Sequence, residues 1–416
     1  MALPHVDWLY PGIGLKRWLL LASAGVVALV ASLIVGAGAL WSDTLLRGLG
    51  LGWVVGRPNA AAVLVLDGIV AGGVAAAVGG RRAWVWWRTN PETASEIRLS
   101  SRLARGPRIT AIGGGNGLAA LLSGLKTHTS NITAVVTMAD DGGSSGRLRR
   151  DMGLPPPGDI RNCLVALADD ESLMSRLFQY RFADGELEGH SFGNLFVAAL
   201  AEVTGDFERA VRESTHVLKV RGRVLPATLD DVVLHAQLED GAQVSGQSTI
   251  TAGDLLPRRV WLTPEQPRAL PEAVEAVLHS DMVVLGPGSL YTSVVPNLLI
   301  PEVRDALERT RAWVVYVCNV MTEPSETDGY TAADHLEALY RHGIAGMVDV
   351  VLVNESPVTG ELAAAYERAG AAPVAVAEER LKALGVRVAR APLVRTADVV
   401  RHDSAELSRA LLGILR

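Results

Sequence analysis

Short runs of β-branched and other apolar residues recur along most of this 416-residue chain, from residue 108 onward. Each run is followed by glycine, asparagine or aspartate, and helical patterns such as 117–126 and 330–341 lie between the runs. Uniformly apolar strands that alternate with helices predict the α/β fold class, with a parallel sheet covered by helices on both faces. The predicted strands occupy residues 108–112, 132–138, 282–285, 313–318 and 348–353.

A different pattern occupies the first part of the chain, where two long apolar stretches follow one another. Residues 18–41 carry no charge, and about 20 apolar residues suffice to span roughly 30 Å of hydrocarbon. Residues 60–80 are rich in alanine and glycine and contain Asp67. This pattern predicts an N-terminal hairpin of two transmembrane helices. The alternative is a buried helical hairpin in a soluble protein.

Basic residues flank the two predicted spans. They precede the first span and follow the second, which by the positive-inside rule places both ends of the hairpin on the cytoplasmic side. We therefore expect a multi-pass protein of the cell membrane, with both termini and the main domain in the cytoplasm. The flanking basic residues are Lys16, Arg17, Arg81, Arg82 and Arg88.

These patterns divide the chain into three parts. Residues 1–88 form the predicted hairpin, and residues 108–416 form the predicted α/β domain. Residues 89–107 are polar and lack apolar periodicity, so they are interpreted as a linker or as a short amphipathic helix on the membrane surface.

The composition narrows the possible partners. The chain has 39 basic and 45 acidic residues, a net charge of −6, which argues against a wide basic surface for nucleic acid. Its two cysteines, Cys163 and Cys318, lie far apart in sequence, so neither a zinc module nor a disulfide scaffold is expected. No Ser-His-Asp triad is evident, and no catalytic residue is predicted.

Polar, glycine-rich loops follow the predicted strands. Ligands of parallel sheets bind at the carboxyl ends of the strands, so these loops should meet at one site. Residues 113–117 read GGGNG and open a helix, where backbone N–H groups can approach a phosphate. The loops therefore predict a site for one anionic ligand with two phosphates. The candidate ligand-binding residues of these loops are Gly113, Gly114, Gly115, Asn116, Gly117, Asp140, Asp141, Gly142, Gly143, Ser144, Ser145, Arg147, Asp159, Arg161, Asn162, His190, Asn194, Gly286, Gly288, Ser289, Asn319 and Thr322.

The acidic candidates allow more than one interpretation. Asp140 and Asp159 can supply oxygen ligands to a Mg²⁺ ion that bridges a diphosphate. The alternative is a turn at Asp140 and a helix cap at Asp159. Asp140 also stands 25 positions after Gly115, where a dinucleotide-binding enzyme holds its ribose. An NAD-dependent oxidoreductase therefore stays open as a further alternative.

Basic and amide side chains complete the candidate site. Arg147 and Arg161 are interpreted as phosphate clamps, because a guanidinium fork matches phosphate oxygens; the alternative is solvated surface arginines. His190 and Asn194, in GHSFGNL, either contact the ligand or cap the helix that begins there.

Seven segments together resemble one known family. In chain order they read GGGNGLAALLSGLK, DDGGSSGRLR, PPGDIRNCLVAL, GHSFGNL, VLPATL, GPGSLYTSVVPNLL and CNVMTEPSET. They are similar to the YvcK, or gluconeogenesis factor, family, which is related to CofD, the 2-phospho-L-lactate transferase. The resemblance covers about residues 108–416 and leaves the predicted hairpin outside.

The resemblance implies a Rossmann-like three-layer α/β/α fold and a regulatory function. A YvcK-type protein is expected to bind UDP-N-acetylglucosamine and to link carbon metabolism to cell-envelope synthesis and cell shape. The CofD relationship implies the alternative of a metal-dependent transferase for a phospholactate-type group, with Mg²⁺ and no tightly bound organic cofactor. A homo-oligomer, a protein partner from envelope synthesis and contact with the membrane are also expected.

Two further residues enter through the resemblance. Tyr366 and Arg401 match positions that contact the nucleotide sugar, and a tyrosine can stack on uracil while an arginine neutralises a diphosphate. The alternatives are packing on a helix face for Tyr366 and surface charge for Arg401. Gln247 and Glu323 stand where the family commonly has glutamate and glutamine, respectively, which alters the local charge.

Overall fold

The computed structural model describes residues 15–41, 58–89, 98–168, 173–358, 360–396 and 400–415. The chain divides into two compact units, Met1–Arg102 and Leu103–Arg416.

The first unit contains two long helices that pack closely on each other. Helix α1 spans Leu15–Trp41 and helix α2 spans Pro58–Thr89. A methyl group at Gly25 would lie 2.6 Å from the carbonyl oxygen of Gly72, and one at Gly79 would lie 2.7 Å from that of Trp18. Glycine is therefore required where the two backbones meet.

The membrane prediction needs correction. Within the part of the chain that the structure describes, no helix combines the length and the apolar character needed to cross a membrane. On this finding, the predicted spans at 18–41 and 60–80 and the localisation in the cell membrane with cytoplasmic termini are wrong. The pattern counted alanine and glycine as apolar, whereas several of these small residues serve the close packing of α1 on α2.

The second unit is built on a seven-stranded sheet in which every neighbouring pair is parallel. Its order is β10-β9-β8-β7-β1-β2-β3. These strands are β1 (Ile109–Gly113), β2 (Ile132–Val136), β3 (Arg223–Pro226), β7 (Met282–Leu285), β8 (Trp313–Val317), β9 (Val350–Asn354) and β10 (Arg387–Ala391).

The five apolar runs predicted as strands each coincide with a strand of this sheet, and the predicted α/β class is confirmed. Strands β1, β2 and β7 are buried at every position, because helices cover both faces of the sheet. The result is a three-layer α/β fold with a parallel central sheet. The two edge strands, β3 and β10, did not stand out in the sequence, since each begins with an exposed arginine.

Two small antiparallel sheets accompany the large one. One has the order β5-β4-β6 and the other pairs β11 with β12. Their strands are β4 (Val233–Leu238), β5 (Gln243–Ser245), β6 (Pro257–Thr263), β11 (Val394–Thr396) and β12 (Val400–His402).

The helices of the second unit fill the outer layers and the connections. They are α3 (Gly115–Leu125), α4 (Gly143–Met152), α5 (Gly158–Leu167), α6 (Leu173–Gln179), α7 (Phe192–Thr204), α8 (Phe207–Leu218), α9 (Gln247–Thr251), α10 (Pro271–Leu278), α11 (Val295–Leu298), α12 (Pro301–Arg309), α13 (Ala332–Leu339), α14 (Gly360–Arg368), α15 (Glu378–Ala383) and α16 (Ser404–Ile414). Two π-helical turns, Leu290–Val294 and Tyr340–Ile344, adjoin α11 and α13.

The strand order reverses direction between β1 and β7. From β1 the chain adds β2 and β3 on one side, and it then returns to add β7, β8, β9 and β10 on the other. In open parallel sheets a crevice forms at such a reversal, outside the carboxyl ends of the strands, and ligands bind there. The loops that follow β1 and β7 lie at this position.

Candidate functional site

A cavity of about 510 Å³ lies at the carboxyl ends of β1, β7 and β8. Its walls come from the loops after these three strands, from α14 and from the second antiparallel sheet. It is lined by Gly114, Gly115, Asn116, Gly117, Ala120, Asp159, Gln247, Pro287, Gly288, Ser289, Ser293, Asn319, Val320, Met321, Thr322, Glu323, Pro324, Tyr366, Ala369, Ala371 and His402.

The loop after β1 forms one wall and opens α3. Gly114 is the N-cap residue of α3, and Gly115 has a φ of +66°, a conformation that favours glycine. Because Gly115, Asn116 and Gly117 line the cavity, the N-terminus of an 11-residue helix borders it. Unpaired backbone N–H groups and the helix dipole make such an end attractive to phosphate.

The backbone of the loop after β7 lies against the backbone of the loop after β1. A methyl group at Gly117 would lie 2.6 Å from the carbonyl oxygen of Pro287 and 3.1 Å from the amide nitrogen of Gly288. Gly286 has a φ of +77°, and its amide donates to the carbonyl of Ile112 at 2.9 Å. The two loops can therefore present their backbones to the same ligand.

The loop after β8 is tied to the segment that follows α14. Thr322 donates its amide to the carbonyl of Ala372 at 2.7 Å and accepts from the amide of Ala372 through Oγ1 at 2.9 Å. Val374 donates to the carbonyl of Val320 at 3.0 Å. This pairing holds α14 beside the cavity, where Tyr366 packs against Val320 and the neighbouring Met321.

A buried carboxyl group joins the loops after β7 and β8 from beneath. Glu326 is 1% exposed, and its Oε1 accepts from the amide of Tyr291 at 3.1 Å. Burial, reinforced by the nearby charge of Glu323, raises the pKa of Glu326 well above its usual range. Glu326 therefore links the two loops, and its burial favours the protonated form.

Two aspartates lie close together beside the loop after β1. Asp159 lines the cavity and accepts from the amide of Gly115. Burial, with the charge of Asp140 as the second cause, raises the pKa of Asp159 to about 6. Burial likewise raises the pKa of Asp140, although the amide of Gly142 donates to its Oδ1 at 2.9 Å.

The chemistry of these carboxylates fits a weakly held hard cation better than a closed metal centre. In the described ranges, no group of three or more His, Cys, Asp or Glu side chains could hold a metal ion. Mg²⁺ in proteins commonly binds through one or two carboxylates and substrate phosphates. Asp140 and Asp159 are the residues that would hold it.

His402 faces the cavity from β12. Its Nε2 lies 3.4 Å from the carbonyl oxygen of Cys318. Burial lowers the pKa of His402 to about 4, so the side chain is neutral at pH 7 and its Nε2–H can donate to that carbonyl. The residue before it, Arg401, has its backbone in β12, and its side chain lies outside the described residues.

A second group of predicted residues forms a cluster between α4 and α7 instead of lining the cavity. Ser144 Oγ lies 3.1 Å from His190 Nδ1 and accepts from Asn194 Nδ2 at 3.1 Å. Arg147 donates from Nη2 to the carbonyl of Glu188 at 2.8 Å. These side chains have partners within the protein, and their role as ligand contacts stays a prediction.

Ten of the predicted residues line the cavity, and thirteen others do not. Those that line it are Gly114, Gly115, Asn116, Gly117, Asp159, Gly288, Ser289, Asn319, Thr322 and Tyr366. Those that do not are Gly113, Asp140, Asp141, Gly142, Gly143, Ser144, Ser145, Arg147, Arg161, Asn162, His190, Asn194 and Gly286.

Sequence reasoning missed several lining residues. Gln247 reaches the cavity because Asp141 Oδ1 accepts from the amide of Ser248 at 2.8 Å and so holds the start of α9. Ala369 and Ala371 enter with α14 through the pairing described above. The clue available for Gln247 was its place in a family segment, and small alanines carry no comparable signal.

Fold and cavity together define a parallel α/β protein with a polar, glycine-lined cavity at the strand-order reversal. Residues 109–394 match the model of the family described as 2-phospho-L-lactate transferase CofD. The "Gluconeogenesis factor" of Bacillus subtilis (strain 168) is 50% identical over 312 residues, which cover 74% of this chain and 98% of that protein. A relative from Nostoc sp. (strain PCC 7120) is 44% identical over 417 residues and covers 97% of this chain and 91% of its own.

A solved structure agrees with the sequence comparisons. The crystal structure of a UPF0052 family protein from Bacillus halodurans is 50% identical, covers 73% of this chain and 99% of that chain, and superposes with a TM-score of 0.71. The chain therefore belongs to the gluconeogenesis factor (YvcK) family and carries a CofD-like domain. The family resemblance drawn from the seven sequence segments is confirmed.

Proposed function

We propose that this protein binds UDP-N-acetylglucosamine, or a closely similar nucleotide sugar, in the 510 Å³ cavity. The observation that carries the proposal is the meeting of the α3 N-terminus with the glycine loop after β7 at the strand-order reversal. Backbone N–H groups on both sides suit a diphosphate, and a cavity of this size suits a ligand as large as a nucleotide sugar.

The remaining walls suit the two ends of such a ligand. Tyr366 offers an aromatic face on which a uracil ring can stack. Asn319, Thr322 and Gln247 offer hydrogen-bonding groups for sugar hydroxyl and amide groups. In this proposal the diphosphate lies across the glycine loops, between the base and the sugar.

The proposed role of this binding is regulatory. A protein that senses a precursor of the cell envelope can link carbon supply to envelope synthesis and cell shape, through a protein partner from that synthesis. The name of the Bacillus subtilis relative, a gluconeogenesis factor, supports a connection with carbon metabolism.

Titration calorimetry on the full chain tests the binding. We expect heat from UDP-N-acetylglucosamine, weaker binding of UMP and still weaker binding of GDP-sugars. Tyr366→Ala should weaken binding about tenfold because the stacking face is lost, whereas Tyr366→Phe keeps that face and should bind nearly as well as the parent chain. Binding of another nucleotide class with no heat from any UDP-sugar would contradict the proposal.

The second candidate function is a CofD-like transferase, favoured by Asp140 and Asp159 and by the family model that matches residues 109–394. Asp140 and Asp159 would hold a Mg²⁺ ion, whose charge would stabilise the negative charge that develops on the leaving phosphate. The amide of Gly115 donates to the Asp159 carboxylate, and this contact would fix the carboxylate at the start of α3, beside the diphosphate. An assay with a nucleotide-activated phospholactate, a deazaflavin acceptor and Mg²⁺ separates this function from sensing, since a sensor forms no product.

The dehydrogenase alternative is not retained. It requires an acidic side chain after β2 that faces the ligand, and Asp140 instead accepts from the amide of Gly142 and from the side chain of Ser145. Asp140 is absent from the described lining of the cavity.

A further inference from the structure

A second groove lies next to the cavity, along α3. It encloses about 570 Å³ and runs between α3, α5 and α6. Asn116 and Ala120 line both spaces, so the first turns of α3 separate the groove from the cavity.

Three arginines from three different elements line this groove. Arg161 comes from α5, Arg176 from α6 and Arg181 from the segment that follows α6. No acidic side chain is found among the described residues that line it. Burial lowers the pKa of the Arg161 guanidinium, and the positive charge of Arg181 lowers it further. The groove therefore concentrates positive charge that an anion would compensate.

Arg161 is held in place before any ligand arrives. A methyl group at Gly193 would lie 2.8 Å from both Cγ and Cδ of Arg161, so the stem of the arginine packs directly on the start of α7. Its Nη2 donates to Asn162 Oδ1 at 2.6 Å, while its Nε is buried and has no hydrogen-bond partner among the described residues. The stem and one end of the guanidinium are therefore fixed by the protein itself.

The other arginines and the floor define what fits. Arg181 is oriented by donation from Nη1 to the carbonyl of Gly189 at 2.6 Å. The floor between α3 and α5 consists of short apolar side chains, Ala119, Val165 and Ala166. Such a floor suits the compact carbon skeleton of a small ligand. The three guanidinium groups can then bind one doubly charged phosphate group.

We propose that this groove is a second ligand site, which binds a small organic phosphate with its phosphate on Arg161, Arg176 and Arg181. Guanidinium forks match phosphate oxygens in geometry and in charge. Because the groove and the cavity share only the Asn116 and Ala120 turns of α3, both sites can be filled at once. The site is independent of the nucleotide-sugar proposal, since none of the three arginines lines the cavity.

The test is a titration of the full chain with inorganic phosphate and with glycerol phosphate, in chloride buffer of fixed ionic strength, with glycerol as the uncharged control. We expect binding of both phosphates and none of glycerol. Arg181→Gln and Arg176→Gln should each weaken phosphate binding about tenfold through the loss of a charged hydrogen bond. Arg161→Lys keeps the charge but loses the forked guanidinium, and it should weaken binding similarly.

Arg212→Gln is the matched control, because Arg212 is an exposed helical arginine that pairs with Glu208 away from the groove. It should bind phosphate as the parent chain does. Saturating UDP-N-acetylglucosamine should leave phosphate binding in place.

Three outcomes would overturn the proposal: no phosphate binding by the parent chain, equal binding by the parent and the Arg181→Gln variant, or displacement of phosphate by the nucleotide sugar. If the arginine-dependent phosphate site is found but no UDP-sugar binds, the nucleotide-sugar proposal fails and this one stands.

Discussion

Individual glycines decide how closely the loops of the site approach one another. Gly117 lies inside α3, where an alanine would ordinarily be the better helix former. Its neighbour across the site is the carbonyl oxygen of Pro287, only 2.6 Å from where a methyl group would be. The loop after β7 must therefore move if Gly117 gains a side chain.

Gly117→Ala should for this reason weaken nucleotide-sugar binding by about tenfold or more, because a displaced loop misplaces its backbone donors. Gly413→Ala is the matched control: Gly413 also lies in a helix, and an added methyl group there meets nothing within 4 Å. Calorimetry on both variants checks the expectation. Equal affinities of the two variants would show that the close contact is not needed.

His402 provides a pH test at the same scale. Its pKa is lowered by burial to about 4 in the folded protein, against about 6.5 in the unfolded chain. As the pH falls from about 6.5 to about 4, the imidazole of His402 binds a proton in the unfolded chain but stays neutral in the folded protein. The free energy of unfolding therefore decreases over this range. Between pH 7 and pH 5, His402 should cost the parent chain up to about 2 kcal/mol of stability. The His402→Gln variant should not show this loss.

Urea unfolding of the parent and the His402→Gln variant at both pH values measures this difference. Parallel losses of stability in the two proteins would exclude His402 as the titrating group.

The glycines and polar residues in the loops after β1, β7 and β8 could be predicted because they follow apolar strands directly. Gln247, Ala369 and Ala371 could not, because their elements reach the cavity through tertiary pairing. The contact of Asp141 with the Ser248 amide spans 107 positions, and no local pattern marks it.

At the scale of elements, the site depends on connections between loops that belong to different strands. The sequence pattern revealed β1, β2, β7, β8 and β9, since a strand buried on both faces must be uniformly apolar. It did not reveal β3, β10 or the small antiparallel sheets, whose strands are short or partly exposed. Pairing with a neighbour, and not an apolar run, defines these strands.

Glu326 tests one of these connections. Glu326→Gln keeps an acceptor oxygen for the Tyr291 amide and resembles the protonated acid, so we expect little change in the free energy of unfolding at pH 7. Glu326→Ala leaves that amide unpaired and opens a cavity, and it should cost about 2–4 kcal/mol. Chemical denaturation of the two variants measures the effect, and comparable losses in both would contradict a protonated Glu326.

At the scale of the whole molecule, the strand-order reversal between β1 and β7 places the site, and the division at Leu103 separates it from the helical hairpin. The apolar stretches at the N-terminus predicted membrane spans, and the described helices do not bear this out. Hydropathy alone did not distinguish a membrane-spanning helix from one of two helices that pack closely on each other through glycine.

The unit Leu103–Arg416 should fold and bind the nucleotide sugar without the first unit. All residues of the cavity lie within it, and the solved Bacillus halodurans relative corresponds to 73% of this chain. The affinity of the isolated unit, measured by calorimetry, should equal that of the full chain. Loss of binding in a unit with an intact far-ultraviolet circular dichroism spectrum would contradict this expectation.

The most direct test of the central claim is a crystal structure of the full chain grown with UDP-N-acetylglucosamine. We expect electron density for the diphosphate within hydrogen-bonding distance of the backbone N–H groups of Asn116 and Gly117, with the uracil ring against Tyr366. A cavity without nucleotide density at saturating ligand, or a nucleotide bound elsewhere on the protein, would contradict it.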